Sequence, residues 1–168
     1  MSIKLPPPNY DQKAVASRIS AYRQAAEILV TEIEARGGAE KTGSEEPLLF
    51  PTVHVHRHYL ELLLKALVED AGVNWPQGHD LTPLWQRIRD AAYDEDIQTQ
   101  GDCDMLFELL DHLHFADRYS HDRKSGKPYP KTIESLTLQG FRNLFVPVAS
   151  HLEFCARLWL ALHIRRNA

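Results

Sequence analysis

From Asp11 to Arg36 the apolar positions Val15, Ile19, Tyr22, Ala26, Leu29 and Ile33 recur at intervals of three and four. That is the period of one helix face, and it predicts a first amphipathic helix. Gly37-Gly38 is its stop, because glycine adopts the left-handed backbone that closes a helix. The polar run through Gly43, Ser44 and Pro47 has too little apolar surface to pack, so a mobile loop is expected over 37–47. Pro51 suits a helix first turn, where a missing amide hydrogen is no loss. From there Val55, Tyr59, Leu62, Leu63, Ala66 and Leu67 carry a second helix to about Ala71.

A third helix includes Leu84, Trp85, Ile88 and Ala92, with Asp80 or Thr82 as its cap and Pro83 in its first turn. The fourth runs from Asp102 to Tyr119 on the face of Met105, Leu106, Leu109, Leu110, Leu113 and Ala116. The last begins near Ser135 or Thr137 and buries Phe141, Phe145, Val148, Leu152, Cys155, Trp159 and Leu162. Pro147 is expected to break or kink it, since proline removes an amide donor and crowds the preceding turn. The pattern predicts an all-α bundle of four main helices plus a shorter helix, forming a single domain over 10–168. Residues 1–9, with Pro6-Pro7-Pro8, read as an extended leader.

Composition adds bounds. A chain of 168 residues that is 43% hydrophobic can build one core of its own. It has no apolar run long enough to cross a bilayer, and Met1 to Asn9 lacks the apolar segment of a secretory signal, so no membrane partner and a cytoplasmic location are expected. Cys103 and Cys155 form no Cys-x-x-Cys pair and are expected to be reduced thiols. A net charge of −4 and a pI near 6.1 disfavour the extended phosphate contacts of a nucleic-acid coat. A compact basic pocket is still compatible: Arg118, Arg123, Lys124 and Lys127 cluster around one loop beside His114 and His121. The alternative is a solvated charged turn.

Away from its apolar face, the second helix carries His54, His58, Glu61 and Lys65 at spacings of four, three and four, with Arg57 close by. Such a stripe faces solvent, a partner or an internal polar pocket. His54-x-His56-x-His58 raises metal binding, but on a helix His56 points about 200° away from the other two. A third ligand would have to come from His79, Asp80, His112 or His114, so no metal or other cofactor is expected and an exposed or hydrogen-bonded histidine is the default. On the fourth helix His114, Arg118 and His121 follow at four and three. If the helix persists that far they form a cationic, proton-transferring cluster; otherwise they are basic groups complementing a helix C-terminus.

The order of these segments is informative. Arg57-His58-Tyr59-Leu60-Glu61 with Lys65-Ala66-Leu67, a Gly78-His79-Asp80-Leu81 helix entry, a helix ending in Arg118-Tyr119 and a long final helix span Tyr10 to His163. This succession resembles the HEPN family of prokaryotic helical bundles. The resemblance implies an HEPN-like bundle, a homodimer, and an RNA-associated role in a toxin or antiphage defence system, with RNA, a nucleotide or a partner protein of that system as ligand. In such chains the Gly-His-Asp segment supports the bundle.

HEPN ribonucleases cleave RNA without a metal and carry Arg followed after four to six residues by His near the start of the last core helix. This chain has one such spacing, Arg157-x5-His163, at the end of its final helix, and about two matches arise by chance in a sequence of this make-up. Under a ribonuclease reading the catalytic residues are therefore Arg118 and His121 with His114 in support, and Arg157 with His163 as the alternative. The competing class is a noncatalytic HEPN module that binds a nucleotide, an RNA end or a protein through Arg57, His58, Glu61, Lys65, His79 and Tyr119. A purely structural dimer partner in a toxin or defence system is a third.

Overall fold

The computed structural model describes residues 12–74, 76–94, 102–118 and 135–166, with side chains described over 14–74, 76–91, 103–113 and 135–157. Five helices follow in order: α1 Gln12–Ala35, α2 Leu49–Asp70, α3 Leu81–Asp94, α4 Asp102–Arg118 and α5 Leu138–Arg166. The described residues contain no strand, only an isolated bridge between Thr42 and Thr137, so the chain is all-α. None of its helices, over those residues, is long and apolar enough to cross a membrane.

α2 is the central element. It packs against α1, α3, α4 and α5, and for that reason it is buried around most of its circumference rather than along one stripe. Leu60, Leu64, Leu67 and Val68 are fully buried together with Trp85, Ile88, Phe107, Phe141 and Leu152 from the surrounding helices. Leu62, expected in the core, is only half-buried. α1 lies at the periphery: Ala26 and Ile33 are buried, whereas Tyr22 is exposed and its ring meets His58 of α2 edge-on. α3 and α4 run antiparallel, since Trp85 and Arg89 bond Asp104 while Leu81 and Thr82 bond Asp111.

The helix ends follow from local chemistry. Gly37 sits at φ 66°, and the pair of bonds from Gly37 N to Glu34 O and from Gly38 N to Ile33 O closes α1 in a Schellman motif. Gly72, at φ 68°, closes α2 in the same way, through bonds to the Glu69 and Val68 carbonyls. Thr137, one of the two residues near which α5 is expected to start, accepts the Gly140 amide on its Oγ1 at 3.0 Å. Over 37–47 polar contacts stand in for the missing apolar ones: Thr42 N donates to Glu45 Oε2, Gly43 N to Leu136 O, and Gln139 N to Ala39 O.

Of the break or kink expected at Pro147, the break is corrected: α5 passes that residue as one continuous helix. Pro147 is exposed, so the carbonyl deprived of its amide partner is on the side where water can satisfy it. The amides of α3's first turn are not bonded by Asp80 or Thr82. Their acceptor is the carboxylate of Asp111 on α4, which takes Leu81 N at 2.7 Å and Thr82 N at 2.8 Å.

Candidate functional site

Arg57, Glu61 and Lys65 are four residues apart on α2, so their side chains stack on one helix face. Nothing in that spacing says where the face points. It turns inward, toward the start of α3 and the side of α4, and Arg57 and Glu61 are 4% and 3% exposed. A buried carboxylate persists only if its oxygens are bonded and its charge is matched. Glu61 meets both conditions. Its Oε1 accepts from Lys65 Nζ at 2.6 Å and His79 Nδ1 at 2.9 Å, and its Oε2 accepts from Arg57 Nη1 at 3.3 Å. Burial alone would raise its pKa, but the bonds from Lys65 and His79 and the charges of Lys65 and Arg57 outweigh that and bring it down to about 2.

The α3 entry is built around this carboxylate. Gly78 has φ +107°, a region closed to ordinary side chains although the space around it is open, so the backbone rather than packing requires glycine there. The turn delivers His79 with its carbonyl accepting from Arg57 Nη2 at 2.6 Å and its ring on Glu61. Arg57 Nη2 also reaches Asp111 Oδ1 at 3.3 Å. One guanidinium thus joins α2, the α3 entry and α4.

Because an ionised carboxylate only accepts, His79 donates through Nδ1–H, and in the neutral ring the lone pair is then on Nε2. The His79 side chain is 75% exposed. A second imidazole, His58, stands with Nδ1 3.6 Å from Glu61 Oε2 and is about one-third exposed. Burial lowers its pKa, with Glu61 acting against that. Asp80 moves the other way, its pKa raised by burial and then by the nearby Asp111. The charges of the stripe balance: Arg57 and Lys65 are matched by Glu61 and Asp111.

The structure therefore brings together Arg57, His58, Glu61, Lys65 and His79, five of the residues expected to bind a ligand. Tyr119 and His121 lie outside the described residues, as do Arg123, Lys124 and Lys127. His114 and Arg118 are in α4, three and seven residues beyond Asp111, at register positions on the same side of that helix; their side chains are outside the described ones. Arg157 is exposed on α5, and His163 is in the same helix six residues on, its side chain also outside the described ones.

The three histidines of α2 separate. His54 is exposed, His56 is buried edge-on against Phe141 and Phe145, and His58 faces α1. Among the described residues no group of three or more His, Cys, Asp or Glu side chains could hold a metal ion. Cys103 and Cys155 are buried and not joined in a disulfide, and burial raises the pKa of Cys155, which makes it a poor nucleophile although His151 Nε2 is 3.6 Å away.

Asp111 is the residue that sequence reasoning missed. Its signal was present: Asp104 and Asp111 are seven residues apart, two helical turns, and so lie on the same side of α4. Both bond α3, and Asp111 reaches Arg57 of α2 as well. No family model, curated protein or solved structure matches this chain.

Proposed function

We propose that the chain is an HEPN-like, RNA-associated protein of the toxin or antiphage-defence kind, acting as a homodimeric, metal-independent endoribonuclease with His79 as its acid–base group. The observation that carries this reading is a solvent-exposed imidazole whose Nδ1 is held at 2.9 Å by a buried, ionised carboxylate. That arrangement fixes the tautomer and leaves Nε2 free to take a proton. In the reaction His79 Nε2 accepts the proton of a ribose 2′-hydroxyl, the 2′-oxygen bonds to the adjacent phosphorus, and the P–O5′ bond breaks. The 5′-oxygen takes a proton from a second carrier, and the products are a 2′,3′-cyclic phosphate and a 5′-hydroxyl. His58, on the other oxygen of Glu61, is that second carrier, entering the step as the imidazolium and leaving it as the neutral ring, and Arg118, two turns beyond Asp111 on α4, supplies the fixed positive charge.

The test is cleavage of end-labelled tRNA in EDTA by the wild type beside His79→Ala, Arg118→Ala, His121→Ala and Arg157→Ala. Cleavage that survives EDTA and falls by about 100-fold or more in His79→Ala is expected. Full activity of a folded His79→Ala protein removes His79 from the chemistry.

A second reading has its own support. Arg57 and Lys65 are already neutralised by Glu61 and Asp111, so the stripe offers no surplus positive charge to a phosphate. This favours a noncatalytic HEPN module that binds a nucleotide or a protein partner. A folded wild-type protein that cleaves no RNA decides for it.

A further inference from the structure

Asp111 grips the segment that carries His79 from both sides. Ahead of α3, its Oδ1 takes Arg57 Nη2 at 3.3 Å, and that same nitrogen holds the His79 carbonyl at 2.6 Å. Within α3, its two oxygens take the Leu81 and Thr82 amides at 2.7 and 2.8 Å. The residues flanking His79 are otherwise weakly anchored: Gly78 has an open, glycine-only backbone, Asp80 is exposed, and the His79 ring itself is mostly in solvent. An exposed side chain on such a turn ordinarily samples several rotamers, and holding its backbone raises the share of them that reach Glu61.

We infer that Asp111 is a positioning residue: by clamping the α3 entry directly and through Arg57, it keeps the His79 ring on Glu61 and so sets which ring nitrogen is free. The inference rests on the reading of His79 as the acid–base group, yet it is tested without RNA. An inactive protein would overturn that reading and leave this one standing.

The experiment is nitrogen-15 NMR of the histidine rings in the full-length chain, wild type beside Asp111→Asn and Asp104→Asn, titrated across neutrality. Asp104 is the control because it also joins α3 to α4, through Trp85 and Arg89, without touching the His79 turn. In the wild type, neutral His79 is expected almost wholly as the Nδ1–H tautomer, held there by Glu61. Asp111→Asn shifts it to a mixture of tautomers, while Asp104→Asn leaves it as in the wild type. Glu61, Lys65, His58, Arg57 and Asp80 are unchanged in both variants, so a change confined to Asp111→Asn reports the clamp.

A mixed tautomer in the wild type overturns the inference at once. So does an Asp111→Asn protein that keeps the wild-type tautomer while losing only thermal stability. If Asp111→Asn does not fold, Arg57→Lys probes the same clamp from its other end, keeping the charge but losing the fork that spans His79 and Asp111. A mixed tautomer there supports the clamp. Retention of the Nδ1–H form in that variant, or failure of both variants to fold, assigns Asp111 to the fold alone.

Discussion

Glu61 and His79 belong to different elements, yet the buried carboxylate oxygen of the first accepts from the exposed ring of the second at 2.9 Å. A charge that would be costly to bury alone is kept by three cationic or donor neighbours. The same bond orients an imidazole toward solvent. Stability and candidate chemistry therefore converge on one side chain.

Glu61→Gln preserves volume but leaves Arg57 and Lys65 facing a neutral amide. Removing one member of a buried ion pair typically destabilises by about 3–5 kcal/mol. Urea denaturation should show a loss of that order. Arg23→Ala, which breaks exposed pairs with Glu27 and Glu153, should stay within about 1 kcal/mol. Equal losses in the two variants would mean that the Glu61 network adds nothing beyond surface charge.

Acid should unfold the protein partly through Glu61. Its folded pKa, about 2, is below the ordinary value of 4.5, so the stabilisation is fully present above that ordinary value and is lost as pH falls from 4.5 toward 2. The window carries roughly 3 kcal/mol by linkage, and Glu61→Gln should flatten it. Denaturant midpoints measured at successive pH values, wild type against variant, make the comparison. Parallel curves would refute the assignment.

A separate window opens nearer neutrality. His56 is buried against Phe141 and Phe145 with Nδ1 donating to the Thr52 carbonyl at 2.8 Å. Burial lowers its pKa below 6.5, with the Thr52 bond partly opposing this. The neutral form belongs to the folded state, so its contribution is present above pH 6.5 and declines as pH falls below it. His58 and His151 shift in the same direction, so His56→Leu should shrink the decline rather than abolish it. Thermal melts between about pH 7 and about pH 5 would expose an unchanged slope if the idea is wrong.

Two adjacent glycines should respond differently to alanine. At Gly38 an added Cβ would come within 2.5 Å of Glu46 Oε2 and 3.0 Å of Ile33, both buried neighbours, so overpacking of about 1–3 kcal/mol is expected. At Gly37 the space is open and only the positive φ opposes the change, for a loss of about 1 kcal/mol. Chemical denaturation of both variants should rank them in that order, and a reversed ranking would show that backbone conformation outweighs crowding here.

Much of the helical layout was legible because it depends on period. The repeats in Val15 to Ile33 and in Met105 to Leu113 marked α1 and α4 to within a residue or two, and Gly37-Gly38 and Thr137 marked ends whose chemistry is local. Burial was less legible. Met105 and Tyr22 carried the right period but are exposed, since a helix at the edge of a bundle buries a narrower stripe than its sequence offers. Pro147 does not break α5 because the carbonyl it leaves without an amide partner is on an exposed side of the helix, where water can take it.

The candidate site divides along the same line. Spacing alone placed Arg57, Glu61 and Lys65 on one face of one helix, because 3.6 residues per turn is a property of the backbone wherever that helix lies. That the face turns inward, that His79 closes on it from 18 positions away, and that Asp111 rather than Asp80 bonds the first amides of α3 were decided only by packing. Those contacts join residues whose separation along the chain bears no relation to their separation in space. The desolvation that makes each partner necessary exists only once the helices have met.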